Sequence, residues 1–411
     1  MIHGPVGTGF VSSLKNLRYR AAVVVAVGAV VLFSLHAYVS RSNLTESIPD
    51  EAIDAELTLQ AVTLEQPDVD GKLLWRLKAD SVKYVPETQR AELLALEGEF
   101  YEDGKKIYTV TADEGEVQQN GNTLFLRGNL VATRVEDNLT LAGDLLKWQP
   151  KLGLLQMGDF ENESSAEKAP TRSPVTITNS RIEAVAQSLV VNNREDRVTM
   201  SGKVVAKSKA EPWLTFASDV LIWLVDQSRI EANQPLTVER FASNDYKTIT
   251  ERLVGQSGSA QLDENIVTVE QAVQLESLAE GWTVNSDRAV WNVVAQTVEM
   301  DQPVDIAQPA RQLTASARRA SIDLVSQVIY LIGNVQANGR KNDTRLTADQ
   351  MTWKTTTQQV EAEGNVRYQQ AASPEATLSG PKAVGNIEEG TLVVIGDASG
   401  GVVTEIVPED F

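Results

Sequence analysis

Two hydrophobic patterns divide the chain. Residues 21–39 form one uncharged apolar run, "AAVVVAVGAVVLFSLHAYV". From residue 55 onward, apolar and polar residues instead alternate in short segments bounded by Gly, Asn and Asp. A period of two puts one residue set on each face of an extended strand. In "LLWRLKAD", Leu73, Trp75, Leu77 and Ala79 alternate with Leu74, Arg76, Lys78 and Asp80. In "KKIYTVTAD", Tyr108, Val110 and Ala112 alternate with Ile107, Thr109 and Thr111. After residue 39 no segment keeps a helical apolar stripe over three turns. The pattern predicts an all-β protein preceded by one transmembrane helix.

The alternation is itself repeated. A D-x-x-x-W motif recurs at Asp144/Trp148, Asp219/Trp223, Asp287/Trp291 and Asp349/Trp353. Seven residues past each Trp stands an aliphatic residue: Leu155, Ile230, Val298 and Val360. Sixteen or seventeen residues before the Asp, three repeats carry a glycine, namely Gly128, Gly202 and Gly333, and the fourth has Gln271. Half-period echoes occur at Asp80, Asp113 and Arg318. Such recurrence marks stacked β units that bury one face against their neighbours. The repeated Trp are expected in the core, and each Asp at a strand's start, satisfying turn amides.

The early run is long enough to cross a bilayer as a helix at about 1.5 Å per residue. Lys15, Arg18 and Arg20 precede it, and Glu46, Asp50 and Glu51 follow soon after. The positive-inside bias assigns 1–20 to the cytoplasm, 21–39 to the membrane, 40–54 to a stalk and the bulk to the far side. A cleaved signal peptide is the rival reading, but "LHAYVSRS" matches a cleavage site poorly, at Ala37. Residues 161–174, "ENESSAEKAPTRSP", lack aliphatics and read as a linker or long loop between β regions at 55–160 and 175–411.

Composition narrows the chemistry. The chain carries a formal charge of −19, has no Cys, and its only histidines are His3 and His36. Disulfides, thiolate metal sites and imidazole catalysis are therefore removed from everything past residue 36. No Asp or Glu precedes residue 40, so the rest is more acidic still, which argues against nucleic acid. "GPVGTGF" lacks the Lys-Ser/Thr of a phosphate loop. A carboxylate glycosidase or calcium-dependent lyase would show a non-repeating Asp cluster, whereas these Asp recur in step with Trp. We expect no catalytic residue, no metal and no cofactor.

A short basic N-terminus, one apolar run, an acidic stalk and then "LEQPDVDGKLLWRLKADSVKYVPE" resemble the LptC family of lipopolysaccharide export. The family's D-G-x-x-x-W/Y-x-h-x-A-D pattern is carried here by Asp70, Gly71, Trp75, Leu77, Ala79 and Asp80. "YTVTADEGEVQQNGNTLFLRGNLVAT" resembles its next segment, and "AD…W…A…GNV" at Ala348, Asp349, Trp353, Ala362, Gly364, Asn365 and Val366 resembles the OstA-type repeats of LptA and the LptD N-terminus. The resemblance implies a twisted antiparallel β-jelly roll with a slot for lipid A acyl chains, anchored in the inner membrane with its bulk periplasmic. It further implies docking to the permease subunits of an ABC transporter at one end and to LptA or LptD at the other. A β-repeat scaffold with a closed core is the alternative.

Strand alternation then nominates a groove of Trp75, Leu77, Leu94, Leu96, Tyr108, Val110, Leu124, Leu126, Leu139 and Leu141. An open roll also leaves its first and last strands unpaired. The near edge is expected at 55–66, with Leu57, Leu59, Val62 and Leu64 inward. The far edge is expected at 391–407, through Leu392, Val393, Val394 and Ile395.

Overall fold

Hairpins build the molecule. At Glu102–Lys105 the two central residues, Asp103 (φ 49°) and Gly104 (φ 78°), both take the left-handed conformation that matches strand twist. A computed structural model describes residues 57–85, 90–118, 121–158, 173–340, 343–371, 375–396 and 403–407; at Leu57 and 403–407 only the backbone is described. These residues form twenty-eight strands, joined antiparallel. Among them no helix is long and apolar enough to cross a membrane, and the expected span at 21–39 lies outside the described residues.

The repeat spacings follow from this register. Each motif Trp faces the aliphatic residue seven positions on, across a hairpin: Trp148 opposite Leu155, Trp223 opposite Ile230, Trp291 opposite Val298 and Trp353 opposite Val360. The upstream glycine and its successor form a β-bulge opposite the motif Asp: Gly128–Asn129 on Asp144, Gly202–Lys203 on Asp219 and Gly333–Asn334 on Asp349. Gln271–Ala272 bulge opposite Asp287 in the same way, with φ of 64° and 49° and no glycine. Each Asp therefore sits in mid-strand, as in Trp282–Asn292 or Thr344–Lys354, and not at a strand's start as expected. The reason is that the strand continues through the bulge and bends there.

These bulges form a crease across the sheet. Asp113 accepts from Asn129 Nδ2 at 2.7 Å, and Asp349 accepts from Asn365 Nδ2 at 2.8 Å. A Cβ on Gly128 would lie 2.7 Å from the Asp113 carboxylate, so only glycine fits that close approach. Arg318 takes the carboxylate's place beside Gly333, its Nη2 3.0 Å from the Asn334 side-chain oxygen when that amide is turned to accept.

On either side of the crease the sheet runs as two separate ladders. Thr140–Gln149 pairs through its first half with Val175–Thr178 and through its second half with Leu154–Gly158. Those short strands pair with Ile182–Ala186 and Ser188–Asn192 respectively, and both ladders rejoin on Arg197–Ser208. Long strands and broken pairs then alternate to the last strands. The segment read as a linker, 161–174, lies mostly outside the described residues, and the strands flanking it belong to the same two ladders.

Each long strand shifts phase as it crosses the crease. In Trp282–Asn292 the buried set is Trp282, Val284 and Ser286, then Ala289 and Trp291. In Thr344–Lys354 it is Leu346 and Ala348, then Met351 and Trp353. The shift keeps one face inward on both sides of the bend. Two ladders with one apolar face each must pack face to face, giving two walls around one core. That core runs unbroken from Trp75 to Val394. We call the wall holding the four motif Trp the tryptophan wall.

Candidate functional site

The space between the walls is the candidate site. Trp75, Leu77, Leu96, Tyr108, Val110, Leu124, Leu126, Leu139 and Leu141 all point into it and are buried. Phe100 and Trp148 belong to the same core and stack at 5.1 Å with planes 4° apart. Burial pushes the Tyr108 phenol up to about 12, while its hydroxyl lies 3.3 Å from Asn193 Oδ1.

Leu94 departs from the expectation. It is 53% exposed, and Leu93 occupies the inward position. Ala95 carries φ of 47° and interrupts the alternation, so Leu93 and Leu96 face inward and Leu94 does not. Leu59 is likewise 45% exposed, because Ala61 (φ 52°) shifts the phase, whereas Val62 and Leu64 pack against the core.

Both nominated edge strands do lie at the ends of the sheet. Leu57–Pro67 pairs only with Leu73–Val85, and Thr391–Ile395 and Val403–Val407 pair only with Glu375–Asn386, among the described residues. Leu392 and Val394 face inward, while Val393 and Ile395 are exposed. The far edge is thus two short strands, one on each wall, and not one continuous strand.

Opposite the crease the two rims meet through polar contacts. Tyr108 and Asn193 bridge them near the first edge, Arg181 and Asp263 approach to 3.7 Å further along, and Arg311 and Glu388 to 3.9 Å near the last. Beside this last pair a half-open cavity of about 660 Å³ lies between the walls. Ile306 and Leu346 line it from one wall, Trp353 and Leu392 from the tryptophan wall. None of these had been nominated except Leu392, as an edge residue. The core between the walls is apolar, the cavity at the last edge adds polar side chains to its lining, and among the described residues no group of three or more His, Cys, Asp or Glu is placed to hold a metal.

The family model for lipopolysaccharide assembly, LptC-related, matches residues 22–209 and 307–402. The chain belongs to the LptC family. No curated protein matches it at a significant level. The match brackets the architecture: its first part carries the nominated groove and its second part nearly all of the cavity lining. Residues 210–306 lie between the two and contribute further turns of the same ladders. LptC membership implies a role in lipopolysaccharide transport.

Proposed function

We propose that this LptC-family chain is a non-enzymatic span of the lipopolysaccharide bridge. It receives lipid from an inner-membrane ABC transporter and passes the acyl chains along the trough toward the outer membrane. The observation that carries this reading is one apolar core continuous between two sheet edges that are unpaired among the described residues. Each buried CH₂ is worth about 0.8 kcal/mol, so an acyl chain needs an unbroken apolar path. An unpaired strand offers its N–H and C=O rows to another chain. On this reading Leu57–Pro67 meets the periplasmic β domains of the permeases, and Thr391–Ile395 meets LptA or the LptD N-terminus. Residues 21–39 hold the chain in the inner membrane, uncleaved, with the bulk periplasmic. The division into 55–160 and 175–411 is then functional: the first docks the transporter and the second lengthens the bridge.

The close packing around Phe100 and Trp148 favours a second reading, a β scaffold with a closed core. One experiment separates the two. A photo-crosslinking residue placed at each position from Leu73 to Ala79 in living cells is expected to label lipopolysaccharide from 75, 77 and 79 only. Labelling at none of these while transport continues would leave the scaffold.

A further inference from the structure

The wall opposite the tryptophan wall has an outer face whose character changes along the chain. One outward row begins at Thr111 and passes Val131, Ala142 and Thr176 to reach Val185. It continues through Val205, Ala217 and Thr237 to Val254. Each member lies beside the next on a neighbouring strand, and the residues alternating with them, such as Ala132, Leu141, Ile177 and Ala184, are buried. Nine strands in succession thus present Thr, Val or Ala, with no charge and no large side chain. Thr109, Thr133, Thr140 and Thr178 extend the same surface toward the rim.

Further on, the same row shows how such a face meets water. Past Val254 it reads Gln274, Asn285, Asp305, Ser316 and Gln336. Strand propensity favours Thr and Val in both halves alike, so it does not explain the difference. Beside the uncharged strip stand Glu183 opposite Lys207, and Glu239 paired with Arg252 at 2.9 Å. Charge is therefore excluded from the strip and not from the wall. A small, even, uncharged sheet surface suits the face of another sheet, because two sheets pack about 10 Å apart through their side chains.

We propose that this strip is a self-association face, on which a second copy of the chain lies wall against wall. Two chains of formal charge −19 repel, and on the strip they meet without setting charge against charge. A two-fold pairing centred on the strip sets Val185, its middle member, against Val185 of the other copy. Neighbouring strands rotate by roughly 20–25°, so the two faces diverge away from that centre and stay in contact over about five strands. That contact is on the order of 400 Å² per copy, about half of what a stable complex buries, so the pairing is weak and reversible. The inference is independent of the transport reading, since it uses an outer face and no part of the interior.

The chain has no Cys, so a single introduced thiol reports the contact by itself. Val185→Cys and, as a control in the polar half of the row, Gln336→Cys are compared in the purified full-length chain under a mild oxidant. Disulfide-linked dimer is read on non-reducing gels, with each rate divided by the rate at which a small maleimide alkylates the same thiol. Val185→Cys should dimerise about tenfold faster than Gln336→Cys, because a paired face raises the effective concentration of the two thiols. Adding Ala217→Glu, a charge within the strip, should return it to the control rate while the melting curve stays unchanged. Equal rates for the two thiols overturn the pairing, as does a fast Val185→Cys rate that ignores Ala217→Glu. Linkage of Val185→Cys to a different protein in living cells, with none to itself, overturns the choice of a second copy.

Discussion

Between Trp75 and Met200 the core side chains are buried and Phe100 of one wall stacks on Trp148 of the other, whereas between Ile306 and Leu392 the walls leave a half-open space of about 660 Å³. Both ends have the same crease, the same Trp register and the same alternation. What differs is the filling. Near the first edge Phe100 stacks on Trp148 across the core, two large rings in one layer. Near the last edge Trp353 lines the cavity together with Ala315 and Ala337, small residues that leave the layer short of volume. The repeat therefore specifies the frame, and the residues between motif positions decide where the interior is open.

Four tests sharpen that contrast. Trp148→Ala removes a fully buried ring that stacks on Phe100, and is expected to cost about 4–5 kcal/mol in denaturant unfolding. Trp353→Ala, beside space that already exists, should cost about 3 kcal/mol or less. Equal losses would mean that the two ends are packed alike.

The second concerns Tyr108. Its folded pKa, about 12, lies above the ordinary value near 10, so the neutral phenol favours the folded state. That contribution is complete below about pH 10 and disappears as pH rises toward 12, a loss of roughly 3 kcal/mol. Tyr108→Phe should remove this alkaline step from the pH dependence of stability. A step that persists in the variant would assign it elsewhere.

The crease is expected to respond more modestly. Gly128→Ala puts a Cβ against Asp113 at a positive φ, and about 2 kcal/mol should be lost. Gln271→Gly works in the opposite direction, relieving φ of 64° and raising stability by about 1 kcal/mol. Thermal melts of the two variants should move in opposite directions. The smallest effect belongs to Arg311→Gln, within about 1 kcal/mol of the parent because its ion pair is exposed.

Much of this frame can be read in the chain before any coordinates. Alternation alone identifies the strands around Trp75 and Tyr108, and the recurrence of Trp148, Trp223, Trp291 and Trp353 marks the core. The crease was legible too, in a form easily missed. In "WTVNSDRAVWN" the apolar phase slips by one residue at Asp287, which signals a bend in mid-strand rather than a strand's start. At Ala61 and Ala95 the same slip has no Gly or Asn to announce it, and "ELLALEG" offers apolar residues in both phases. Leu94 was misplaced for that reason. The cavity has no local signature, because it depends on how far two walls separate, which is set by residues distant in sequence such as Ile306 and Leu392.

The central claim is that one trough carries acyl chains from the first edge to the last. Photo-crosslinking from both ends of the interior in the same transport-competent cells tests it most directly. Leu77 and Leu346 face inward, and Lys78 and Gln350 face outward. Lipopolysaccharide should be captured from Leu77 and from Leu346, and from neither Lys78 nor Gln350. Capture from Leu77 alone, with Leu346 silent while lipid still reaches the outer membrane, would contradict a path that runs the length of the chain.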